Sequence, residues 1–136
     1  MIRFETERSL ERPHSVSQGN GHHADDAAET LLMNIIQSKK LGSFSPKAMV
    51  ERGPVTIVRP MIYLNEETIT AVHRHADLPL LDFTCPYARH NIRERFKGTH
   101  HLLEESLGVR WLSRRVVHAL ENVDETNLWR NVWEEL

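Results

Sequence analysis

The sequence predicts a helix-dominated α/β domain with few, parallel strands, and three observations predict it. Apolar residues recur at helical spacing in four stretches, around residues 28–36, 69–76, 92–107 and 112–123. One β-branched run, Val55-Thr56-Ile57-Val58, lies between Pro54 and Pro60 and does not alternate. A strand covered on both faces, as in a parallel sheet, reads that way. The third observation is the 136-residue length at 40% hydrophobic and 26% charged residues, which suits one modest core and excludes wholesale disorder.

Each element follows in order. Residues 1–20 are polar and without clean period, and end in Ser-Val-Ser-Gln-Gly-Asn, so they read as an irregular N-terminal arm before a domain over 21–136. A first helix opens within His22-His23-Ala24-Asp25-Asp26, with Asp26 and Glu29 spaced as a capping box. Ala28, Leu32, Ile35 and Ile36 give it one apolar face, and Gly42 stops it. After the loop 42–53 and the strand, Asn65 caps a second helix to about Ala76, with Ile69, Val72 and Ala76 on one side. A third helix runs from about Arg89 to Leu107 with Ile92, Phe96, Leu103 and Leu107 inward, ended by Gly108. A fourth carries Leu112, Val116, Ala119, Leu120 and Val123, and a last amphipathic stretch holds Leu128, Trp129, Val132, Trp133 and Leu136.

Composition narrows the function classes. No apolar run approaches the ~18 residues of a membrane span, and the opening residues lack an apolar signal core, so a cytoplasmic location with no membrane partner is expected. One cysteine, Cys85, excludes an internal disulfide framework and suits a reducing compartment. Charge is uneven. Residues 86–115 hold seven basic groups against three acids, while residues 116–136 hold one against five. A basic stretch before an acidic tail marks either a polyanion-facing surface or two solvated helix faces.

The chemistry concentrates at Gly21-His22-His23-Ala24-Asp25-Asp26-Ala27-Ala28-Glu29-Thr30. Two carboxylates and two imidazoles stand at a helix mouth. A carboxylate there can hold Mg²⁺ beside a phosphate, because Mg²⁺ takes few protein oxygens and leaves the rest to phosphates and water. The alternative is that Asp25 and Asp26 only cap the helix. Arg59 follows the strand, at the edge where ligands sit in open α/β sheets. On the helix after Cys85, Arg93, Arg95 and Lys97 are candidates for nucleic-acid phosphates, Arg93 and Lys97 being i, i+4 neighbours. His73, His75, His100 and His101 lack the spacing of a helical zinc site. Trp111, Trp129 and Trp133 read first as core or interface aromatics, with base stacking the lesser alternative.

The string at 21–30 resembles the GHHxDDxxET motif of the PP-loop ATPases that modify tRNA. These include the tRNA 2-thiocytidine and 2-thiouridine synthetases and tRNA-isoleucine lysidine synthetase. Val58-Arg59-Pro60-Met61-Ile62-Tyr63 is similar to the family's IRPL-Y segment, and Glu66 to Ile69 to the E-x-x-I after it. Cys85 with Arg93 eight residues on looks like the C-x7-R stretch of the thiolating branch. Ala119-Leu120-Glu121-Asn122-Val123 before Asn127-Leu128-Trp129 looks like that branch's A-x-x-NV…L tail. The 2-thiocytidine proteins are therefore the nearest match, over roughly residues 21–136.

The resemblance implies a partial Rossmann-like domain of the adenine nucleotide alpha hydrolase-like type. It implies ATP and Mg²⁺ as cofactors, tRNA as partner, Asp25 and Asp26 as catalytic, Asp26 as metal ligand, and His22, His23 and Arg59 as cofactor-binding. In the family an SGGxDS loop cradles the phosphates, and a C-x-x-C pair joins the later cysteine around an iron–sulfur cluster. Neither string occurs in these 136 residues, and only Cys85 matches a cluster ligand. The expectation is a C-terminal half of such an enzyme, truncated or not autonomous, binding nucleotide weakly by itself. The second function class is a non-catalytic interaction module, a half-domain that pairs with another chain or a second copy of itself.

Overall fold

A computed structural model describes residues 16–50, 55–80 and 92–129. The order of elements is β1 (Val16–Gly19), α1 (Ala24–Met33), a π-helical turn (Asn34–Ser38), β2 (Lys47–Met49), β3 (Val55–Val58), α2 (Glu66–Ala76), α3 (Ile92–Phe96), α4 (Thr99–Leu107), α5 (Leu112–Glu121) and a 3-10 turn (Glu125–Asn127). The expected helix-dominated α/β architecture is what the described residues form.

β3 is the middle strand of a three-stranded sheet. β1 lies parallel to it, with Val16 opposite Val55 and Gly19 opposite Val58. β2 lies antiparallel on its other side, with Lys47 opposite Val58. All four β3 residues are half-buried, as its unbroken β-branched pattern predicts. The sheet corrects three expectations: the loop 42–53 contains β2, β2 makes the sheet mixed rather than parallel, and the N-terminal arm contains a strand. Residues 16–19, assigned to an irregular arm, pair as β1 and run straight into the His-Asp motif. Their polar composition hid a strand whose ladder bonds come from a segment almost forty residues away.

α1 packs against α5, α3 and α4, so it is the hub of the helices. Its inward face is Ala24, Ala27 and Ala28 together with Asp25, Glu29 and Thr30. Small side chains let α5 approach closely with Ser113 and Val117 buried. Ala24, Ala27, Ile62 and Val117 form a core cluster, with Phe44 packed on its margin. The apolar face expected from Leu32, Ile35 and Ile36 is not the buried one, since Ile35 and Ile36 are exposed. α1 also ends before Gly42. The chain passes through the π-helical turn and is closed by Lys39 in the left-handed region. Gly42 instead offers its carbonyl to the Asn34 side chain at 2.8 Å.

Asn65 caps α2 as expected, accepting from the Thr68 N–H at 3.3 Å and from the Thr68 hydroxyl. α2 buries none of its residues fully, and Val72 is exposed. The single long third helix is two. α3 stops at Phe96 and α4 starts after Gly98, whose φ of 75° suits only glycine without strain. The expected stripe is correspondingly broken: Phe96 is buried, while Ile92 and Leu107 are exposed. Gly108, with φ of 64°, ends α4 as expected. On α5 the buried positions are Ser113 and Val117 rather than Ala119 and Val123. Cys85 and most of the final amphipathic stretch lie outside the described residues.

Candidate functional site

The carboxyl ends of the parallel strands β1 and β3 meet where the Asn20 N–H donates to the Val58 carbonyl at 2.9 Å. The chain leaving β1 carries Gly21, His22 and His23 into α1. The chain leaving β3 carries Arg59. Arg59 and the His-Asp motif therefore share one sheet edge, the edge where open α/β sheets place ligands.

An outward cluster forms there around Phe44, from the loop between the π-helical turn and β2. The His22 ring stacks on Phe44 at 4.2 Å and 18°. The Arg59 guanidinium lies 5.1 Å from the Phe44 centroid, and that of Arg93 5.5 Å. Arg59 donates through Nη1 to the Ser45 carbonyl at 2.8 Å and through Nε to His22 Nδ1 at 3.3 Å. Arg93 donates to the Thr30 hydroxyl at 3.1 Å. Burial, and then the charges of Arg59, Arg93 and His23, hold the His22 pKa below its ordinary value against the pull of Asp26. A neutral His22 is the acceptor that the Arg59 contact needs.

An inward cluster grows from the other face of α1. Asp25 is 3% exposed. One of its oxygens accepts the Glu66 N–H at 2.7 Å, capping α2 from across the chain. Its other oxygen lies 3.3 Å from His100 Nε2. Glu29 lies 3.5 Å from His100 Nδ1 and accepts the Gly98 N–H at 2.8 Å. His100 is itself 2% exposed, held between two carboxylates. Burial alone would lower its pKa, but Glu29, Asp25 and Glu104 outweigh burial and raise it. Burial would raise Glu29, yet His100 and the Gly98 N–H bring it below the ordinary carboxylate value.

The two aspartates of the motif thus part company. Asp25 turns inward, tying α1 to α2 and α4. Asp26 stays at the rim, its side chain 27% exposed, accepting the His23 N–H at 3.0 Å. The capping relation of α1 is therefore between His23 and Asp26, not between Asp26 and Glu29, because the helix starts three residues earlier than its spacing suggested. His23 lies 3.4 Å from Asp26 and 3.9 Å from Asp25, between the clusters.

Of the proposed nucleic-acid residues, Arg93 faces Thr30 and Phe44, while Arg95 and Lys97 are exposed and Lys97 follows the end of α3. Sequence reasoning missed Phe44 and His100 as site residues, and gave Glu29 and Thr30, though inside the motif, no role in the site. Phe44 had one signal, a lone aromatic between serines in a polar loop. His100 had none, since its partners are about seventy residues away.

Among the described residues no group of three or more His, Cys, Asp or Glu forms a metal cage. That donor set is compatible with Mg²⁺ shared with phosphates, which can take a single protein carboxylate, and Asp26 is the more exposed aspartate of the motif. An iron–sulfur cluster does not fit this chain's own thiols, since it has one cysteine and clusters take three or four. Among the described residues no helix is long and apolar enough to cross a membrane.

Sequence comparison bears out the resemblance read from the motifs. The chain is 31% identical over 108 residues to the tRNA-cytidine(32) 2-sulfurtransferase of Syntrophotalea carbinolica, covering 79% of this chain and 42% of that protein. It is 32% identical over 105 residues to the protein of that name from Geotalea uraniireducens, covering 76% and 41%. A shorter match to the one from Citrifermentans bemidjiense is 35% identical over 66 residues, covering 48% and 26%. No family model matches the chain. The chain spans about two fifths of the length of the first two of these relatives.

Proposed function

We propose that the chain serves ATP-dependent thiolation of a tRNA cytidine, acting with a phosphate-binding element outside its own sequence. The similarity to tRNA-cytidine(32) 2-sulfurtransferases supports this reading. The observation that carries it is the convergence of His22, Asp26, Arg59 and Arg93 at the carboxyl ends of two parallel strands.

When bound, Mg²⁺-ATP would supply adenylylation of the base's carbonyl oxygen with pyrophosphate leaving, so that sulfur could then displace AMP. Asp26 would share the metal with phosphate oxygens. Arg59 and Arg93, steadied against Phe44, supply fixed positive charge where negative charge accumulates. Neutral His22 orients Arg59 without adding charge. Asp25 and His100 work behind them, holding α1 and α2 in register.

The test is genetic and chemical. Deleting the encoding gene should lower 2-thiocytidine in bulk tRNA, measured by mass spectrometry. The wild-type chain should restore it and Asp26→Ala should not. Unchanged 2-thiocytidine in the deletion strain would sink the reading.

One observation favours a second reading, an interaction module. Ile35, Ile36 and Leu41 are 44%, 60% and 64% exposed on and beside the π-helical turn, an apolar surface that a partner chain or a second copy would cover. Sedimentation of a monomer at all concentrations, with no dye binding to exposed apolar surface, would count against it.

A further inference from the structure

The junction of α4 and α5 carries a basic surface that the site above does not use. Arg110, Trp111, Arg114 and Arg115 are all exposed, Trp111 by 50%. The Arg110 guanidinium lies 5.5 Å from the Trp111 ring and that of Arg114 5.6 Å. Arg115 donates to the Arg110 carbonyl at 3.2 Å, which ties the turn together. Among the described residues none of the three arginines makes an ion pair. Glu104 is spent on the Leu112 N–H at 2.6 Å, and the exposed Glu105 makes no ion pair with them. Trp111 holds a left-handed backbone, φ 57°, unusual for a bulky residue.

Three like charges beside one aromatic repel one another unless an anion joins them. A helix N-terminus is not the attraction, because Glu104 already occupies that of α5. What remains is side-chain chemistry: forked guanidiniums that suit phosphate oxygens, and an indole and arginine planes that suit the face of a base. A paired base buries its faces in the helix stack and cannot use such a surface. A base splayed from a loop can, with its flanking phosphates on the arginines.

We infer that Arg110, Trp111, Arg114 and Arg115 form a docking platform for an unpaired nucleotide in a loop of folded RNA. The choice of RNA over other polyanions rests on the tRNA reading above. The platform uses none of Arg93, Arg95 and Lys97, and Arg93 is engaged with Thr30 and Phe44.

The experiment is fluorescence anisotropy of the full chain with a labelled tRNA anticodon stem–loop, and with a fully paired RNA duplex of equal length. The stem–loop should bind more tightly than the duplex. Trp111→Ala should weaken the stem–loop about tenfold, and Trp111→Phe should stay within about threefold of wild type. Arg110→Ala with Arg114→Ala should weaken both RNAs and reduce the slope of log affinity against log salt by about two. Circular dichroism checks each variant's fold, and the arginine pair serves as the test should Trp111→Ala not fold. Equal affinity for loop and duplex, an unaffected Trp111→Ala, or binding to phosphatidylserine vesicles in place of RNA would overturn the platform. The thiolation reading fails separately, through unchanged 2-thiocytidine in the deletion strain while loop binding persists.

Discussion

His22 and His100 both lean on the start of α1, and their surroundings push them toward opposite charge states. His22 faces two arginines and an aromatic ring, and its pKa falls. His100 is sealed between Asp25 and Glu29, and its pKa rises. The outward cluster spends its polar groups on a half-exposed, cation-rich rim. The inward cluster spends its own on a buried tie between α1, α2 and α4. One ten-residue motif therefore does two jobs, and the neighbouring aspartates divide them.

The comparison breaks most visibly at His100. Taking one partner from a buried ionic group leaves the others uncompensated, at a cost of about 3–5 kcal/mol. His100→Ala should lose stability on that scale in a denaturant titration, whereas His22→Ala should cost much less. Equal losses would mean the two clusters are not different in kind. The pH dependence sharpens the same point. A raised His100 contributes stability that is full below its ordinary 6.5 and is lost as pH rises through the raised value. A lowered Glu29 contributes stability that is full above its ordinary 4.5 and is lost as pH falls through the lowered value. His22 acts in the opposite sense to His100, favouring the fold above 6.5 and opposing it as pH drops through its lowered value. Thermal melts should therefore fall above pH 6.5 in wild type, and fall less in His100→Ala. In His22→Ala the fall above pH 6.5 should be little changed, while the loss of stability as pH drops below 6.5 should shrink. A flat wild-type profile from pH 6 to 9 would contradict the inward tie.

Asp26→Ala comes next. Losing the acceptor of the His23 N–H should cost about 0.5–2 kcal/mol, as for other helix caps. Asp26→Asn keeps a hydrogen-bond acceptor, so it should retain most of that stability while losing 2-thiocytidine formation. If Asp26→Asn restores the modified base, Asp26 is a cap and the rim has no metal function. Gly98→Ala should cost roughly 1–2 kcal/mol through its left-handed backbone alone, since nothing lies within 4 Å of the added carbon. Gly108→Ala, similarly open at φ 64°, is its control. A larger loss at Gly98 would report the Glu29 contact that only Gly98 makes.

The local features were legible in the sequence and the long-range ones were not. β3 showed because β-branched residues between prolines say strand by themselves. Asn65 and Gly108 showed because capping is a matter of one or two residues. β1 did not show, because Val-Ser-Gln-Gly becomes a strand only beside Val55–Val58. The break at Gly98 did not show either: Phe96 and Leu103 keep helical spacing across it, and its support, the Glu29 carboxylate, comes from α1. The site divides in the same way. The His-Asp motif and Arg59 stood out by residue type and spacing. Asp25's inward turn needed His100, and the rim needed Phe44, each brought by a segment with no motif of its own.

The smallest effect on stability should come from Arg59→Ala, and for that reason it is the cleanest probe of the rim. Arg59 makes one good hydrogen bond to the Ser45 carbonyl, a longer one to His22 and a contact over Phe44. Partly exposed interactions of this sort contribute about 0.5–1 kcal/mol, and relieving Arg93 of a like charge over the same ring recovers part of that. Removing the charge also removes one cause of the low His22 pKa, so His22 should titrate higher in Arg59→Ala, by proton NMR of the ring. Stability should change by less than about 1 kcal/mol, while 2-thiocytidine formation falls sharply. A variant that destabilises strongly would place Arg59 with the inward tie. One that leaves both His22 and the modification unchanged would show that the rim's positive charge is not what the reaction uses.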